Sequence, residues 1–472
     1  MSFVRYQKYG NKEYAYEVTA YWDKKARMSR QKTKYLGVVV DKKKKIFEKK
    51  FREKYKEKLI LDFGDAYLIN KFIESTGYGK LLFKVFEGKT ETLLALLMYR
   101  MCYGGAMKNA NTWLEGSYAK ILCRNVDLSS QRISEFMGEI GDEELYRSFF
   151  REYISEVSKS QSGIIIDTTS LPNQIHMPLT SWGRSGEEID KQIRFLLVID
   201  KSSSMPIFFR ILPGNIIDVS SLRNTREELK QYGVKNAFFC TDAGFFSEDN
   251  IKDLYDNNID FLMRLPAVRT IYREFIQNET KDLESLSNAV RYGKRGLFIK
   301  QKKIDLFGKE AYVHIILDPE RRGRETKRLI LQTVDEKGGG AELDYELMKR
   351  GIMILISSFD ISKKEIVPTY YLRQRAETLF GFVKDDLNIL PLRVHKEETL
   401  RGFLFLQFLT LIVFSQLKKA LGEEYSVEEV LLNMRNLKCK VYENEIIIGK
   451  LTKEQINITK KLGIIVSKTL GI

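Results

Sequence analysis

Cysteine and histidine are scarce in this chain, and neither is arranged as a metal or redox motif. The four cysteines lie far apart and include no CxxC pair, so neither a zinc ribbon nor a disulfide framework is supported. Reduced thiols in a cytosol are the simplest interpretation. The three histidines are equally scattered and no HExxH motif occurs, so a histidine-based metal site is not expected. These residues are Cys102, Cys123, Cys240 and Cys439, and His176, His314 and His395.

Long apolar segments are also missing. The N-terminus lacks the apolar core of a signal peptide, and the longest apolar run, FLFLQFLTLIVF at 403–414, is too short to span a bilayer and contains Gln407. We expect this run to be a buried helix of a soluble protein. The sequence therefore predicts a cytoplasmic protein, associated with the nucleoid when it binds DNA, and no membrane partner.

Acidic residues are outnumbered, and the imbalance is local. The chain has 78 Lys and Arg against 63 Asp and Glu, a net charge of +15. Residues 1–60 hold 19 basic and 7 acidic residues, which is +12 of that excess. Such a concentration indicates a polyanionic partner. The length suggests about two to four domains, and the 43% hydrophobic content is ample for packed cores.

The first 60 residues are predicted to form a small basic β module followed by a charged helix or linker at 41–58. Alternation over 11–40 favours a hairpin in which aromatic residues are interleaved with basic ones. Such a module would lay cations along DNA phosphates, and the alternative is a merely solvated basic surface. The residues concerned are Tyr14, Tyr16, Tyr21, Trp22, Lys24, Lys25, Arg27, Arg30 and Lys32.

Residues 61–158 are predicted to form a helical domain. One helix is expected to begin at an N-cap Ser129 or Ser130. With the preceding short helix it would make a helix-turn-helix that contacts a DNA groove through Gln131 and Arg132. Helical pairs are common, so an ordinary structural pair is the alternative.

From residue 162 the pattern changes to apolar strands. We predict three strands, a helix, a strand, a helix and a fifth strand, with Asp167 and Asp242 each at a strand end. Residues 351–359 resume a core strand after an interruption. This is the element order of the ribonuclease H-like fold, a mixed five-stranded sheet with flanking helices. We expect the interruption, residues 267–350, to be a mainly β insertion with a strand at RLILQTV and a flexible loop at EKGGGAELD.

Residues 368–387 are predicted to form one helix that carries a polar stripe. Tyr370, Arg373, Glu377 and Lys384 are spaced so that all four project within about 60° of one another. A carboxylate, a guanidinium, a phenol and an ammonium on one stripe suit a site that handles phosphate. The alternative for any one of them is a solvated helix face.

The spacing Y-x2-R-x3-E-x6-K resembles the signature of bacterial insertion-sequence transposases of the Asp-Asp-Glu class. The words LPGNIIDVSSL, DAGFFSEDNI and NILPLRVHKEETLRGFLFLQFLTL also resemble that family. The resemblance implies that Asp167, Asp242 and Glu377 are the catalytic, metal-binding residues. It further implies that Tyr370, Arg373 and Lys384 assist on DNA phosphates.

Three carboxylates without His or Cys favour Mg²⁺ or Mn²⁺ over Zn²⁺, with two ions expected. The resemblance implies that the protein cleaves the ends of an insertion sequence and transfers them to target DNA, as a homodimer in a synaptic complex on double-stranded DNA. Two alternatives stay open. One is a metal-dependent nuclease without strand transfer, and the other is a domesticated DNA-binding protein or repressor with a silent site.

Rival residues and departures from the family pattern are present. Other carboxylates follow or precede strands or lie near Lys384. A second Tyr and a second Arg lie beside the stripe, and the spacing to Lys384 decides which Tyr and Arg belong to it. Ala243 stands where many relatives have Arg after the second Asp, which removes one phosphate contact. The rivals are Asp200, Asp260, Asp385 and Asp386 for the carboxylates, and Tyr371 and Arg375 for the stripe.

The sequence thus predicts six segments. They are a basic module at 1–60, a helical domain at 61–158, a catalytic core at 159–266 and 351–420, an insertion at 267–350, and a tail at 421–472 with a dimerisation role.

Overall fold

The chain is described here from a computed structural model, and two compact units are distinguished in it. The described residues are 2–10, 12–23, 28–48, 59–157, 163–185, 188–215, 218–234, 238–333, 341–387, 389–390, 392 and 394–471. The first unit comprises Met1–Ile60, Lys440–Ile447 and Thr469–Ile472, and the second comprises Leu61–Cys439 and Ile448–Lys468.

The strands and helices follow in chain order. The strands are β1 (Ser2–Tyr9), β2 (Lys12–Asp23), β3 (Met28–Asp41), β4 (Ile46–Glu48), β5 (Leu59–Asp62), β6 (Ile164–Pro172), β7 (Ser181–Ser185), β8 (Glu188–Asp200), β9 (Pro206–Pro213), β10 (Phe239–Thr241), β11 (Phe261–Arg264), β12 (Ala289–Tyr292), β13 (Arg295–Leu306), β14 (Lys309–Leu317), β15 (Ile352–Ser357), β16 (Lys438–Val441), β17 (Glu445–Ile448) and β18 (Thr469–Gly471). The helices are α1 (Gly64–Ser75), α2 (Gly77–Val85), α3 (Thr90–Cys102), α4 (Ala110–Gly116), α5 (Ala119–Leu122), α6 (Ser130–Ile140), α7 (Glu143–Val157), α8 (Asp218–Gln231), α9 (Glu248–Asp256), α10 (Thr270–Glu279), α11 (Pro319–Thr333), α12 (Ala341–Met348), α13 (Ile366–Tyr371), α14 (Gln374–Gly381), α15 (Glu397–Leu421), α16 (Val427–Arg435) and α17 (Lys453–Lys461).

The first unit is built on an antiparallel sheet in the order β1-β2-β3-β4. The predicted hairpin is present as β2 and β3, and Ala15 and Val18 of β2 are fully buried. The helix or linker predicted at 41–58 is not helical at its start, because a turn and β4 follow β3. Residues 49–58 lie outside the described part of the chain, as do Lys24, Lys25 and Arg27.

The second unit begins with the predicted helices, α1 to α7. Helix α6 begins at Ser130 after the N-cap Ser129, and the Asp142 carboxylate accepts from the backbone N–H groups of Glu144 and Leu145 at the start of α7. The Asp142 carboxylate satisfies two donors that the start of α7 leaves free.

Aromatic rings join the helical segment to the sheet. Phe149 of α7 lies 5.2 Å from Phe405 of α15, and Phe209 of β9 lies 5.0 Å from Phe408, measured between ring centroids. Helices α6 and α15 also approach so closely that a Cβ at Gly402 would collide with the Met137 carbonyl oxygen. The helical segment and the sheet therefore share one packed core.

The second unit contains a ten-stranded mixed sheet. The order is β12-β13-β14-β15-β11-β10-β6-β8-β7, and β9 also pairs with β8. Strand β10 is parallel to both β6 and β11, whereas β8 is antiparallel to β6 and β9 is antiparallel to β8. The predicted strands and helices from β6 to β11 are present in the predicted order, but the structure has one additional strand, β7, before β8. Strand β15 resumes the sheet beside β11 as expected.

The insertion differs from the prediction. It contributes β12, β13 and β14 to the same sheet, but it also contains α10, α11 and α12. The prediction of a mainly β insertion was therefore wrong. The RLILQTV segment lies largely in α11, and α12 begins at Ala341 within the predicted loop, whose residues 336–340 lie outside the described chain.

The apolar run at 403–414 lies in α15, a helix of 25 residues. By length and composition α15 is the one helix among the described residues that is apolar enough to cross a membrane, yet its most apolar window is largely buried inside the protein. The expected buried helix is confirmed, although the helix is longer than the run indicated. Residues 403–414 are all buried, which explains the apolar composition of this run.

Candidate active site

Asp167 and Asp242 come from neighbouring parallel strands. Strand β10 pairs with β6 so that Thr241 lies opposite Ile166. The residues that follow, Asp242 and Asp167, therefore emerge side by side. Both strands are buried where they approach this point, because Ile164, Ile165 and Ile166 precede Asp167 and the apolar β10 precedes Asp242.

Asp167 does not end its strand, contrary to the prediction. Strand β6 continues to Pro172, and Asp167 pairs with Leu197 of β8 in the middle of the ladder. The strand continues because Thr168 and Thr169 are β-branched residues, which favour an extended backbone, and they pair with β8. Asp242 directly follows β10, as predicted, with an extended backbone.

The segment that carries the other candidates is not one continuous helix. Helix α13 ends at Tyr371, α14 begins at Gln374, and a π-helical turn follows at Phe382–Asp386. At the junction, the Arg373 N–H bonds to the Tyr370 carbonyl, a tighter spacing than that of an α-helix. The single helix predicted at 368–387 was therefore wrong in detail.

Arg373 lies between two of the candidate carboxylates. One guanidinium nitrogen donates to Asp167 Oδ2 at 2.7 Å, and the other donates to Glu377 Oε1 at 2.7 Å. Burial disfavours the charged form of Arg373, but the carboxylates of Asp167 and Asp242 outweigh it and raise its pKa above the usual range. Arg373 is therefore a firmly charged cation that ties β6 to α14.

Tyr370 holds the third carboxylate. Its hydroxyl donates to Asp242 Oδ1 at 3.0 Å, and its ring is only 3% exposed. Burial raises the pKa of the Tyr370 hydroxyl above its usual range, and Asp242 adds to the rise. Tyr370 is accordingly a neutral hydrogen-bond donor.

Burial and neighbouring charges act on the pKa of the Asp167 carboxyl. Burial raises its pKa to about 7, the Arg373 guanidinium opposes the rise, and Asp242 and Glu377 add to it. The charged form is disfavoured because Asp167 is 6% exposed and stands near two other carboxylates. A shifted carboxyl in an acidic cluster is a mark of a functional site.

Lys384 stands apart from these five residues. Within the described chain it makes no hydrogen bond or ion pair with the other candidates, and burial lowers its pKa while Asp385 opposes the shift. Lys384 lies on the π-helical turn, which is wider than an α-helical turn. The regular stripe that predicted Lys384 beside Glu377 therefore does not hold at this position.

Four of the six rival residues contact residues outside the candidate site. The Asp200 carboxylate accepts from Ser202 and Ser203 in a turn, and Asp260 accepts from Ser358. Arg375 donates to the Lys201 carbonyl at 3.0 Å. Tyr371 stacks on Tyr292 with 5.6 Å between ring centroids. Asp385 is exposed, and the side chain of Asp386 lies outside the described residues.

Two residues near the site were missed in the sequence. Arg264, the last residue of β11, is close enough to act on the pKa of Tyr370. The Thr241 hydroxyl, directly before Asp242, is buried without a hydrogen-bond partner among the described residues. The sequence contained a signal for Arg264, because this basic residue ends the apolar strand FLMR. Strand β11 is parallel to β10, so Arg264 lies at the same edge of the sheet as Asp242.

The donor set suits a hard divalent cation in its chemistry but not in its present arrangement. The three carboxylates offer oxygen ligands, which Mg²⁺ and Mn²⁺ prefer. Among the described residues, however, no three His, Cys, Asp or Glu side chains stand close enough to hold one ion together. Arg373 lies between Asp167 and Glu377, where it contacts an oxygen of each.

The fold and the site together define an α/β protein with an acidic candidate site on a large mixed sheet. The family model described as the transposase DDE domain matches residues 158–413, more than half of the chain, and the chain belongs to this family. The resemblance to DDE-class transposases is thereby confirmed.

Among solved structures, the cryo-EM structure of the piggyBac transposase synaptic complex with hairpin DNA is similar, with a TM-score of 0.42 and 12% identity. The match covers 79% of this chain and 79% of that chain. No curated protein matches the chain.

Proposed function

We propose that this transposase binds the terminal inverted repeats of an insertion sequence, cleaves the DNA at its ends and transfers them to target DNA. The observation that carries the proposal is the convergence of Asp167, Asp242 and Glu377 around Arg373 and Tyr370. These residues come from two strands and one helical segment that are far apart in the sequence. Bringing carboxylates together is energetically costly, so such a cluster is typical of a functional site.

The catalytic core is, in this proposal, ribonuclease H-like. Strands β9, β8, β6, β10 and β11 lie side by side in that order, and β8 is the one among these five that runs antiparallel to β6. The insertion then extends this sheet beyond β15. This arrangement supports a core in which Asp167 lies on the central strand and Asp242 follows its neighbour.

The residues divide the chemistry among them. Asp167, Asp242 and Glu377 would hold two Mg²⁺ or Mn²⁺ ions, which when bound supply an activated water and stabilise the leaving 3′-oxygen. Arg373 and Lys384 would bind the phosphate, Arg373 through two parallel N–H donors. Tyr370 would position Asp242 through its hydroxyl.

The N-terminal unit would supply DNA contacts. Arg30, Lys32 and Lys34 alternate along β3, so their side chains lie on one face at steps of about 7 Å. All three are exposed, and Tyr21 of β2 lies opposite Arg30 on the same face. The cations on this exposed face of the sheet match DNA phosphates.

The proposal also covers the helical domain at 61–158 and the C-terminal residues 421–472. Gln131 and Arg132 of α6 both bond to Glu135, so a helix-turn-helix role for residues 61–158 would require them to leave that carboxylate. Residues 421–472 are proposed to pair two subunits, because two DNA ends require two active sites. The protein is proposed to act in the cytoplasm on nucleoid DNA.

Substitution of Glu377 tests the active site. Glu377→Ala should abolish Mg²⁺-dependent cleavage of the element ends and leave DNA binding largely intact, because the carboxylate is needed for chemistry only. Asp385→Ala, which removes an exposed rival carboxylate nearby, is the matched control and should cleave normally. Cleavage that survives Glu377→Ala would show that the site is wrongly assigned.

The DNA on either side of the gene supplies the substrate for that assay and separates two activities. Terminal inverted repeats bordered by a short target duplication would support transposition. Cleavage of such ends without joining to a second DNA would instead support a nuclease on the same fold.

A further inference from the structure

Each candidate metal ligand already has a donor from this chain. Arg373 donates to Asp167 and Glu377, and Tyr370 donates to Asp242. Both donors belong to the junction between α13 and α14. In the described state the carboxylates are thus compensated from within the protein.

The guanidinium of Arg373 is incompletely satisfied in this position. Its two terminal nitrogens each bond to a carboxylate, but its Nε is buried without a hydrogen-bond partner among the described residues. A buried donor without a partner costs free energy. Arg373 is therefore held mainly by the charge of Asp167 and Glu377, and another anion offering more acceptors can compete for it.

A divalent ion and the guanidinium compete for the same oxygens. An ion bound by Asp167 Oδ2 and Glu377 Oε1 would lie next to the Arg373 guanidinium, which contacts both atoms. Like charges repel at such distances. The guanidinium must therefore move before these two oxygen atoms bind a metal together. A phosphate group is a suitable destination, because it accepts two parallel bonds from an arginine.

We propose that Arg373 is a displaceable internal cation that excludes divalent metal from the carboxylates until a DNA phosphate draws it away. This inference rests on the proposed function of the site. It follows that metal and DNA bind with positive coupling, and by linkage each raises the affinity of the other by the same factor. Metal would then load mainly on DNA-bound protein.

The first test measures Mn²⁺ binding to the full-length wild-type protein by the loss of the free-ion electron paramagnetic resonance signal. Titrations are run with and without a short blunt-ended duplex, and with Asp167→Asn to subtract Mn²⁺ held by DNA itself. We expect the Asp167-dependent affinity to rise roughly 5- to 150-fold with the duplex. An equal affinity in both titrations would overturn the inference.

The second test removes the guanidinium. Arg373→Gln should bind Mn²⁺ more tightly than wild type without DNA, by about tenfold or more, and should lose the coupling to DNA. Arg375→Gln is the matched control, because that guanidinium bonds to the Lys201 carbonyl instead. Unchanged Mn²⁺ affinity in a folded Arg373→Gln protein would contradict the inference.

The two proposals fail in different ways. If no variant shows Asp167-dependent Mn²⁺ binding under any condition, the proposed function fails and takes this inference with it. If wild type binds Mn²⁺ through Asp167 equally well with and without DNA, the function stands and only the displacement of Arg373 is wrong. The wild-type titrations decide this even if Arg373→Gln does not fold.

Discussion

Asp167 experiences two opposed influences. Burial raises its pKa to about 7, while the ion pair with Arg373 at 2.7 Å favours the charged form. The net direction is upward because Asp167 lies inside the sheet and faces two other carboxylates. Its proton therefore contributes to the pH dependence of stability.

The sign of that contribution follows from linkage. An unfolded Asp has a pKa of about 4, so between about pH 4 and pH 7 the folded chain holds a proton that the unfolded chain has released. The stabilising contribution is fully present below the unfolded pKa and is lost as the pH rises through the folded pKa. In chelator, raising the pH from about 5 to about 8 should lower the unfolding free energy of wild type by roughly 3 kcal/mol more than that of Asp167→Asn.

Denaturant unfolding of both proteins across this pH range measures the difference, because contributions from other groups cancel. Parallel curves for the two proteins would show that Asp167 titrates at its ordinary pKa.

At the scale of single residues, the sequence was sufficient where short-range spacing decides which side chains lie together. Asp242 follows an apolar strand, and Tyr370, Arg373 and Glu377 lie at helical spacing, so a shared site was predictable. The salt bridge between Arg373 and Asp167 joins residues 206 positions apart, and no local pattern encodes it. The position of Lys384 also depends on the π-helical turn, which the sequence spacing did not reveal.

At the scale of elements, a buried arginine links the site segment to the core helix. Arg100 of α3 is 2% exposed, and it donates to Gln407 of α15 and to the carbonyls of Gly105 and Leu387. Leu387 follows the π-helical turn that carries Lys384. Burial lowers the pKa of Arg100 to about 10, with Tyr99 opposing, so it remains charged at neutral pH. This interaction explains the single Gln in an otherwise apolar segment.

Replacement of Arg100 tests this link. Arg100→Met should lower the unfolding free energy by roughly 3–5 kcal/mol, because three acceptors, two of them buried, lose their donor. The exposed Arg124→Met is the control and should change stability by less than about 0.5 kcal/mol. In a double-mutant cycle, Gln407→Met should cost less in the Arg100→Met background than in wild type. Additive effects would mean that the two residues act independently.

At the scale of the whole molecule, the basic charge is concentrated at one end of the sequence, and β3 presents part of it as a row. Replacement of Arg30, Lys32 and Lys34 by Gln should weaken DNA binding and reduce the slope of log affinity against log salt by roughly 3. Lys450, Lys453 and Lys460, which are also exposed, form the matched control triple. Equal loss of slope in both triples would show that only net charge matters.

The order of the β6–α8–β10–α9–β11 segment was predictable for a different reason. Its strands are short apolar runs separated by clear turn and cap residues, such as the Ser247 side chain that accepts from Asn250 at the start of α9. The insertion was harder, because α11 carries the β-branched and apolar run RLILQT, which a period-based analysis takes for a strand. Its helical state depends on the surrounding structure.

The sequence by itself determined the charge distribution, most of the succession of strands and helices in the core, and the spacing of the acidic and basic residues at the candidate site. These features depend on composition and short-range spacing. Only the tertiary structure decided that the insertion strands join the core sheet, that Asp167 lies within its strand, and that Arg373 stands between Asp167 and Glu377. The physical reason is that strand pairing and ion pairing between distant segments depend on packing, which local sequence does not specify.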